Sequence, residues 1–239
     1  MPPLRGRHDP AERDYFDAAQ SLAAPPVELA LPTLNRAEPS LMPMPNWKSK
    51  PTLVGDRVIL RPFTQDDADV MAAILCDPDV LKLTGSVSST AELTDQPRAA
   101  TAALRDWYGS RTAAEERVDL AVIDRSTGVI VGEVVLNEFE GDTRAMNFRT
   151  LIGPTGRGKG LGTEAARLII GYGFDNLGLH RISLDVYAFN PRARRVYEKV
   201  GFVTEGVKRD AFIFDGEYTD EVWMSILEDE WTAHRGNPA

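Results

Sequence analysis

Ten consecutive residues, Gly153-Pro-Thr-Gly-Arg-Gly-Lys-Gly-Leu-Gly162, contain five glycines and two cations. Between a strand and a helix, such a stretch is built to hold an anion. Glycines let the backbone approach closely, and the N–H groups and dipole of the helix's first turn favour negative charge. From Gly153 the stretch spells G-x-x-x-x-G-K, and in a nucleotide-binding P-loop the next residue is a Ser or Thr whose hydroxyl ligates Mg²⁺. Here it is Gly160, so the metal logic of a nucleoside triphosphatase is missing. The dinucleotide fingerprint G-x-G-x-x-G fails too, because Leu161 and Thr163 stand where its last glycine belongs. Charge changes sign around the loop. Residues 51–153 carry net −7, residues 154–209 net +5 and residues 210–239 net −7. An acidic chain that gathers positive charge around one Gly-rich loop is expected to bind an anion there.

Positioning that loop takes a strand before it and a helix after it, and the pattern supplies both. Asp142–Ile152 reads as the strand and Thr163–Leu177, apolar at helical spacing, as the helix. Ile182–Tyr187 alternates like a strand. Asn190-Pro191 opens a second helix, with Asn at the cap and Pro in the first turn, and Gly201 stops it. Upstream, Arg57–Pro62 is expected as a strand and Asp66–Leu75 and Ala99–Tyr108 as helices. Val118–Asp124 and Val129–Leu136 form a hairpin; Val203–Val207 and Glu221–Leu227 are the last strands.

Bulk properties narrow the function. The chain has 239 residues, is 43% hydrophobic and carries net charge −9. It can bury a sizeable core, and a nucleic-acid partner bound through a broad basic face is not expected. One cysteine, Cys76, rules out an internal disulfide and fits a reducing compartment; on an apolar helix face it reads as core. Without a long apolar run or a signal-peptide profile, the expectation is a soluble cytoplasmic protein that engages no membrane. Residues 1–50 stand apart: with Pro51 they hold ten of the sixteen prolines. They read as an extended tail with a short helix at Ala11–Ala23, or as a tail that docks through Met42, Met44 and Trp47.

A third loop pattern fits. Arg157-Gly-Lys-Gly160-Leu-Gly162 matches R/Q-x-x-G-x-G/A, the pyrophosphate loop of the GNAT superfamily of N-acetyltransferases. Residues 157–206 resemble that superfamily's core almost end to end: the loop opening Thr163-Glu-Ala, then Asn190-Pro191, then Tyr197-Glu-Lys-Val-Gly-Phe202. The branch it most resembles contains the ribosomal-protein alanine N-acetyltransferases. The resemblance implies an α/β fold: a single GNAT-like domain over residues 51–235, with a mixed central sheet splayed at the acetyl-CoA site, and a proline-rich extension over residues 1–50. It implies acetyl-CoA as acyl donor, no metal, and a small-molecule or peptide amine as acceptor. A homodimer is the assembly it suggests.

The resemblance also assigns residues. Backbone N–H groups at Gly158, Gly160, Gly162 and Thr163, flanking Leu161, would take the pyrophosphate, with Arg157 and Lys159 adding charge. The pantetheine arm would pair like a strand near Leu151, Ile152 and Gly153, and Asn190 would hydrogen-bond it. Arg192, Arg194 and Arg195 would meet the 3′-phosphate, or are merely solvated helix charges. Tyr197 becomes the acid: a phenol near pKa ~10 keeps its proton at neutral pH and can protonate a thiolate whose thiol titrates near ~8.5. Many relatives carry a glutamate base on the strand before the loop, where Asn147 stands here. Asn accepts no proton usefully, which leaves a water relay from Glu133, Glu138 or Asp185, or no dedicated base. Neutralising an α-amine near pKa ~8 costs about 1 kcal/mol at pH 7 and a lysine near ~10.4 about 4–5, so the missing glutamate favours an easily deprotonated amine. Two other uses stay open, a non-catalytic acyl-CoA sensor and transfer of another acyl group such as succinyl, because a fold does not dictate its use.

Overall fold

Eight strands with alternating or continuous apolar character assemble into one sheet in the order β1-β2-β3-β4-β5-β6-β8-β7. In this computed structural model the described residues are Trp47, 49–93 and 99–235. Expectations that fall on residues 1–46, the helix at Ala11–Ala23 among them, lie outside the described residues. The strands are β1 (Leu53–Val54), β2 (Val58–Pro62), β3 (Val118–Asp124), β4 (Val129–Glu140), β5 (Ala145–Ile152), β6 (Arg181–Tyr187), β7 (Val203–Phe214) and β8 (Glu217–Leu227). All neighbours are antiparallel except β5 and β6.

Helices cover the two faces unequally. On one face lie α4 (Leu161–Asp175), α5 (Pro191–Val200) and α6 (Glu228–Arg235), which bury Leu161, Ile169, Ile170, Tyr197, Val200 and Trp231 against the larger core. On the other lie α1 (Ala68–Leu75), α2 (Pro78–Leu83) and α3 (Ala102–Ser110), packed through Met71, Ile74, Val80 and Tyr108 on Ala121 and Ile130. Among the described residues the second face past β5 carries no helix: Asp185 and Trp223, paired across β6 and β8, are both exposed there.

Local chemistry explains most boundaries. Asn190 caps α5 by accepting from the Ala193 N–H at 3.1 Å, worth about 1 kcal/mol, and Gly201 ends the helix at φ +107°. Asp77 caps α2 in the same way through Val80 at 3.0 Å, with Pro78 in the first turn. The sequence reading had passed over α2, although Asp77-Pro78 is a helix-start signal. The last two strands, expected over Val203–Val207 and Glu221–Leu227, are also longer than expected. β7 and β8 pair all the way to Phe214↔Glu217 and turn at Asp215-Gly216, both at positive φ, the turn that twists with a hairpin.

The feature that makes a site is a broken strand pairing. β5 and β6 run together for only Ala145↔Arg181, Met146↔Ile182 and Asn147↔Ser183. Beyond Asn147, β5 stays with β4 as far as Gly132↔Ile152, while β6 stays with β8 as far as Tyr187↔Glu221. A V-shaped slot therefore opens through the middle of the sheet. Residues assigned to the extension reach the domain edge: Trp47 meets Phe139 edge-on at 5.1 Å, and the Lys50 ammonium donates to the Ala114 and Arg117 carbonyls at 2.6 Å.

Candidate active site

A cavity of about 630 Å³ occupies the slot. Its floor is the Gly-rich loop at the start of α4. There Gly158 and Gly160 adopt φ +76° and +78°, a conformation that costs any other residue about 1–2 kcal/mol. This backbone turns the amides from Gly158 to Thr163 away from the chain, and none of them finds a hydrogen-bond acceptor among the described residues. With the fifteen-residue α4 behind them, they form a nest for a phosphate-sized anion. One wall is the free edge of Phe148–Ile152, whose unpaired backbone can add an extended partner as a strand would. A pyrophosphate on a long pantetheine arm fits both features.

The lining includes Asn147, Leu151, Ile152, Arg157, Gly158, Gly160, Leu161, Gly162, Thr163, Asn190, Arg192, Tyr197 and Glu133, so most residues singled out in the sequence converge here. Others do not. Lys159 points its ammonium at Asp124, 3.4 Å away, and does not line the cavity. Arg195 lies along its own helix with Nε on the Pro191 carbonyl, and Arg194 pairs with Glu198; of the three arginines only Arg192 reaches the cavity. Arg157 lines it but is already engaged: its guanidinium donates to Asp77 at 2.5 Å, Asp79 at 2.8 Å and the Ile152 carbonyl at 3.0 Å. Its charge is neutralised by α2, so the nest relies on backbone amides rather than on the loop's own cations. Through α2, Val80, Leu83 and Thr84 join the wall, and the sequence reading had not found them.

Two titratable groups meet the slot from opposite faces of the sheet. Tyr197 is 7% exposed, its ring edge-on to Phe148 at 6.1 Å, within the core under α4 and α5. Burial, with a smaller contribution from Asp185, raises its phenol well above the ordinary value, so it stays protonated. Glu133 comes from the other face. It sits opposite Leu151 in the β4–β5 register, and Tyr108 donates to its Oε2 at 3.2 Å. Burial first, then the Asp119 carboxylate, lift Glu133 from 4.5 to about 7. Asn147 stands at the apex, the last residue of the parallel pairing, and its amide donates to Asn137 at 3.4 Å.

A second opening, about 450 Å³, continues from the slot on the helix-free face. It shares Glu138, Asn147 and Asp185 with the main cavity and adds Glu140, Glu205 and Trp223. Glu205 is paired with Arg181; Glu138, at φ +57°, is thrown out by a bulge between Asn137 and Glu140. His180 pairs with Glu228 at 3.2 Å. Phe212 and Phe214 pack at tilted angles into an aromatic cluster with Tyr187 and Phe189.

Comparison with known proteins agrees with this geometry. The family model for the acetyltransferase (GNAT) domain matches residues 57–203. Spermidine N(1)-acetyltransferase of Escherichia coli (strain K12) is 31% identical over 144 residues, 60% of this chain and 76% of the relative. The structure of spermidine N-acetyltransferase from Vibrio cholerae in complex with CoA and spermine superposes with a TM-score of 0.63 at 25% identity, covering 74% of this chain and 99% of the other. A GNAT-family acetyltransferase from Bacillus anthracis shares the fold, with a TM-score of 0.61 at 24% identity over 75% of this chain and 99% of that one. With its glycine-rich amide nest, its splayed strands and this match over most of the domain, the chain belongs to the GNAT acetyltransferase family and is an N-acetyltransferase whose acyl donor is acetyl-CoA.

Proposed function

We propose that this enzyme acetylates a small polycationic amine of the polyamine class, with Tyr197 as general acid and Glu133 as general base. The observation that carries the proposal is the slot itself: it has an acid that keeps its proton on one face and a carboxylate titrating near neutrality on the other. Two groups in one site whose environments suit opposite roles are the usual mark of acid–base assignment. The amine enters from the helix-free face and gives a proton to the Glu133 carboxylate. Its lone pair then attacks the thioester carbonyl carbon, the C–S bond breaks, and the departing sulfur takes the Tyr197 phenolic proton. As the C–S bond breaks, the attacking nitrogen loses its second proton through water, which returns one to the Tyr197 phenolate, and Glu133 releases its own proton to water. The balance is one ammonium and one thioester in, one amide, one thiol and one solvated proton out.

Amide nests at Gly158–Thr163 hold the pyrophosphate in this reading. Asn190, whose side chain is occupied in capping α5, serves chiefly to set that helix and with it Tyr197. Asn147 orients rather than abstracts. For a primary amine near ~10, a base near 7 leaves a gap of about 4 kcal/mol, and the carboxylates of the opening offset part of the cost of bringing the cation in. Those carboxylates support the polyamine class. Glu138 and Asp185 line both the slot and its opening, so a second ammonium group on the acceptor would rest among them. Two of the relatives compared above act on spermidine by name.

Thiol release from acetyl-CoA tests the proposal with spermidine, spermine, monoamines, N-terminal peptides and free lysine as acceptors. Turnover with the polyamines at least about tenfold above monoamines of similar pKa is the expected result, since one ammonium–carboxylate contact is worth roughly 1–2 kcal/mol in such an opening. Preference for an N-terminal peptide over spermidine would overturn the acceptor class and leave the transfer chemistry standing.

A further inference from the structure

We infer that Tyr108 is a positioning residue for acetyl transfer: its hydroxyl, held rigidly under the sheet, orients the Glu133 carboxylate toward the slot. The inference rests on the reading of Glu133 as the base.

Tyr108 is 1% exposed, in α3, with its ring wedged against Phe63 at 4.5 Å and Trp107 at 4.8 Å. Thr101 caps that helix through the Leu104 N–H, so the ring stands on a fixed element. Its hydroxyl reaches across 25 residues of chain to donate to Glu133 Oε2 at 3.2 Å. The other oxygen, Oε1, has no donor among the described residues, and Glu133 lines the slot. A carboxylate with one oxygen pinned and one free cannot swing to a nonproductive rotamer without abandoning the phenol in an apolar pocket, which costs about 1–3 kcal/mol.

The charged groups facing Glu133 come from every neighbouring element. Asp119 and Arg117 lie on and just before β3 and are clasped to each other at 2.6 and 2.7 Å. Arg149 comes from β5 and Tyr108 from α3. Asp119 pushes the Glu133 carboxyl up; Tyr108, Arg149 and Arg117 pull it down. Tyr108 is the neutral member of this set, and the one that gives direction as well as stabilisation.

The test compares Tyr108→Phe, Glu133→Gln and the double variant as full-length proteins, by thiol release with spermidine from about pH 6 to 9.5. Phe keeps the ring and its contacts. Loss of a hydrogen bond to an ionised group should lower kcat about tenfold, leave the KM for acetyl-CoA unchanged, and move the acid limb of kcat/KM up by about one pH unit. In the Glu133→Gln background, Tyr108→Phe should cost nothing further. Unchanged kcat and pH profile in Tyr108→Phe, or the same loss in both backgrounds, would reduce Tyr108 to packing. If Glu133→Gln alone retains full rate, the base assignment fails first, and the positioning role falls with it. An infrared difference spectrum against Glu133→Gln reads the carboxyl titration without turnover. Its midpoint must rise in Tyr108→Phe, and an unmoved midpoint counts against the inference even if the variant is too unstable to assay.

Discussion

Replacing Glu133 by Gln should cost the enzyme its activity and make the fold more stable at high pH. The carboxyl titrates at 4.5 when free and at about 7 inside the protein, mainly because burial disfavours its charge. At about 1.4 kcal/mol per pH unit, ionising it in the fold costs up to about 3 kcal/mol relative to the unfolded chain. The direction follows from the raised value. Whatever stability the neutral acid contributes is complete below about pH 4.5, falls as pH rises, and is gone above about pH 7. Gln keeps the shape and an acceptor for Tyr108 but never ionises. Water in the cavity softens the penalty, so the advantage of Glu133→Gln should widen by about 1–2 kcal/mol between pH 5 and pH 8.5. For a chain of this length that is roughly 2–8 °C in Tm, read by circular dichroism melts at the two pH values. Over the same range kcat should fall about 10²–10⁴-fold, the usual worth of a general base. A Tm difference that is the same at both pH values would refute the argument that burial lifts this carboxyl. A retained rate would refute its catalytic role.

Tyr197→Phe removes the proposed acid and keeps the ring against Phe148, so kcat should drop about 10²–10³-fold while the KM for acetyl-CoA and the Tm hardly move; steady-state kinetics and a melt check both. The paired change Glu138→Gln with Asp185→Asn should raise the KM for spermidine several-fold and leave that for acetyl-CoA alone. The wild-type KM for spermidine should itself climb with salt, because those carboxylates face open water. Gly160→Ala forces a side chain into φ +78°, at a cost of about 1–2 kcal/mol, and should weaken coenzyme A binding by calorimetry about tenfold as the amide nest distorts.

Much of the frame could be read from the chain. Strand alternation, the Asn190-Pro191 start and the Gly201 stop are local signals, and the elements they mark appear where expected. Two signals went unread. Asp77-Pro78 announces α2, and Asp215-Gly216 announces the tight turn that carries the last two strands past their expected ends. The site divides in the same way. Glycine spacing points to the nest because backbone conformation is a nearest-neighbour property, and Gly158 and Gly160 carry it at positive φ.

Side-chain partners are a different matter. Arg157 stands in the anion loop, yet its charge is taken by Asp77 and Asp79, some 80 residues earlier in the chain. Asn147 stands where a base was expected, while Glu133, on the strand beside it, meets the slot with a carboxyl tuned by Tyr108, Asp119, Arg117 and Arg149. By itself the sequence determined the elements, the glycine-rich loop's backbone and the residue types able to do chemistry, since these follow from local dihedrals and composition. Only the tertiary structure decided which charges are spent on one another and which carboxyl loses its solvent. Desolvation and pairing depend on what the fold brings within a few ångströms, and here that comes from strands and helices far apart in the chain.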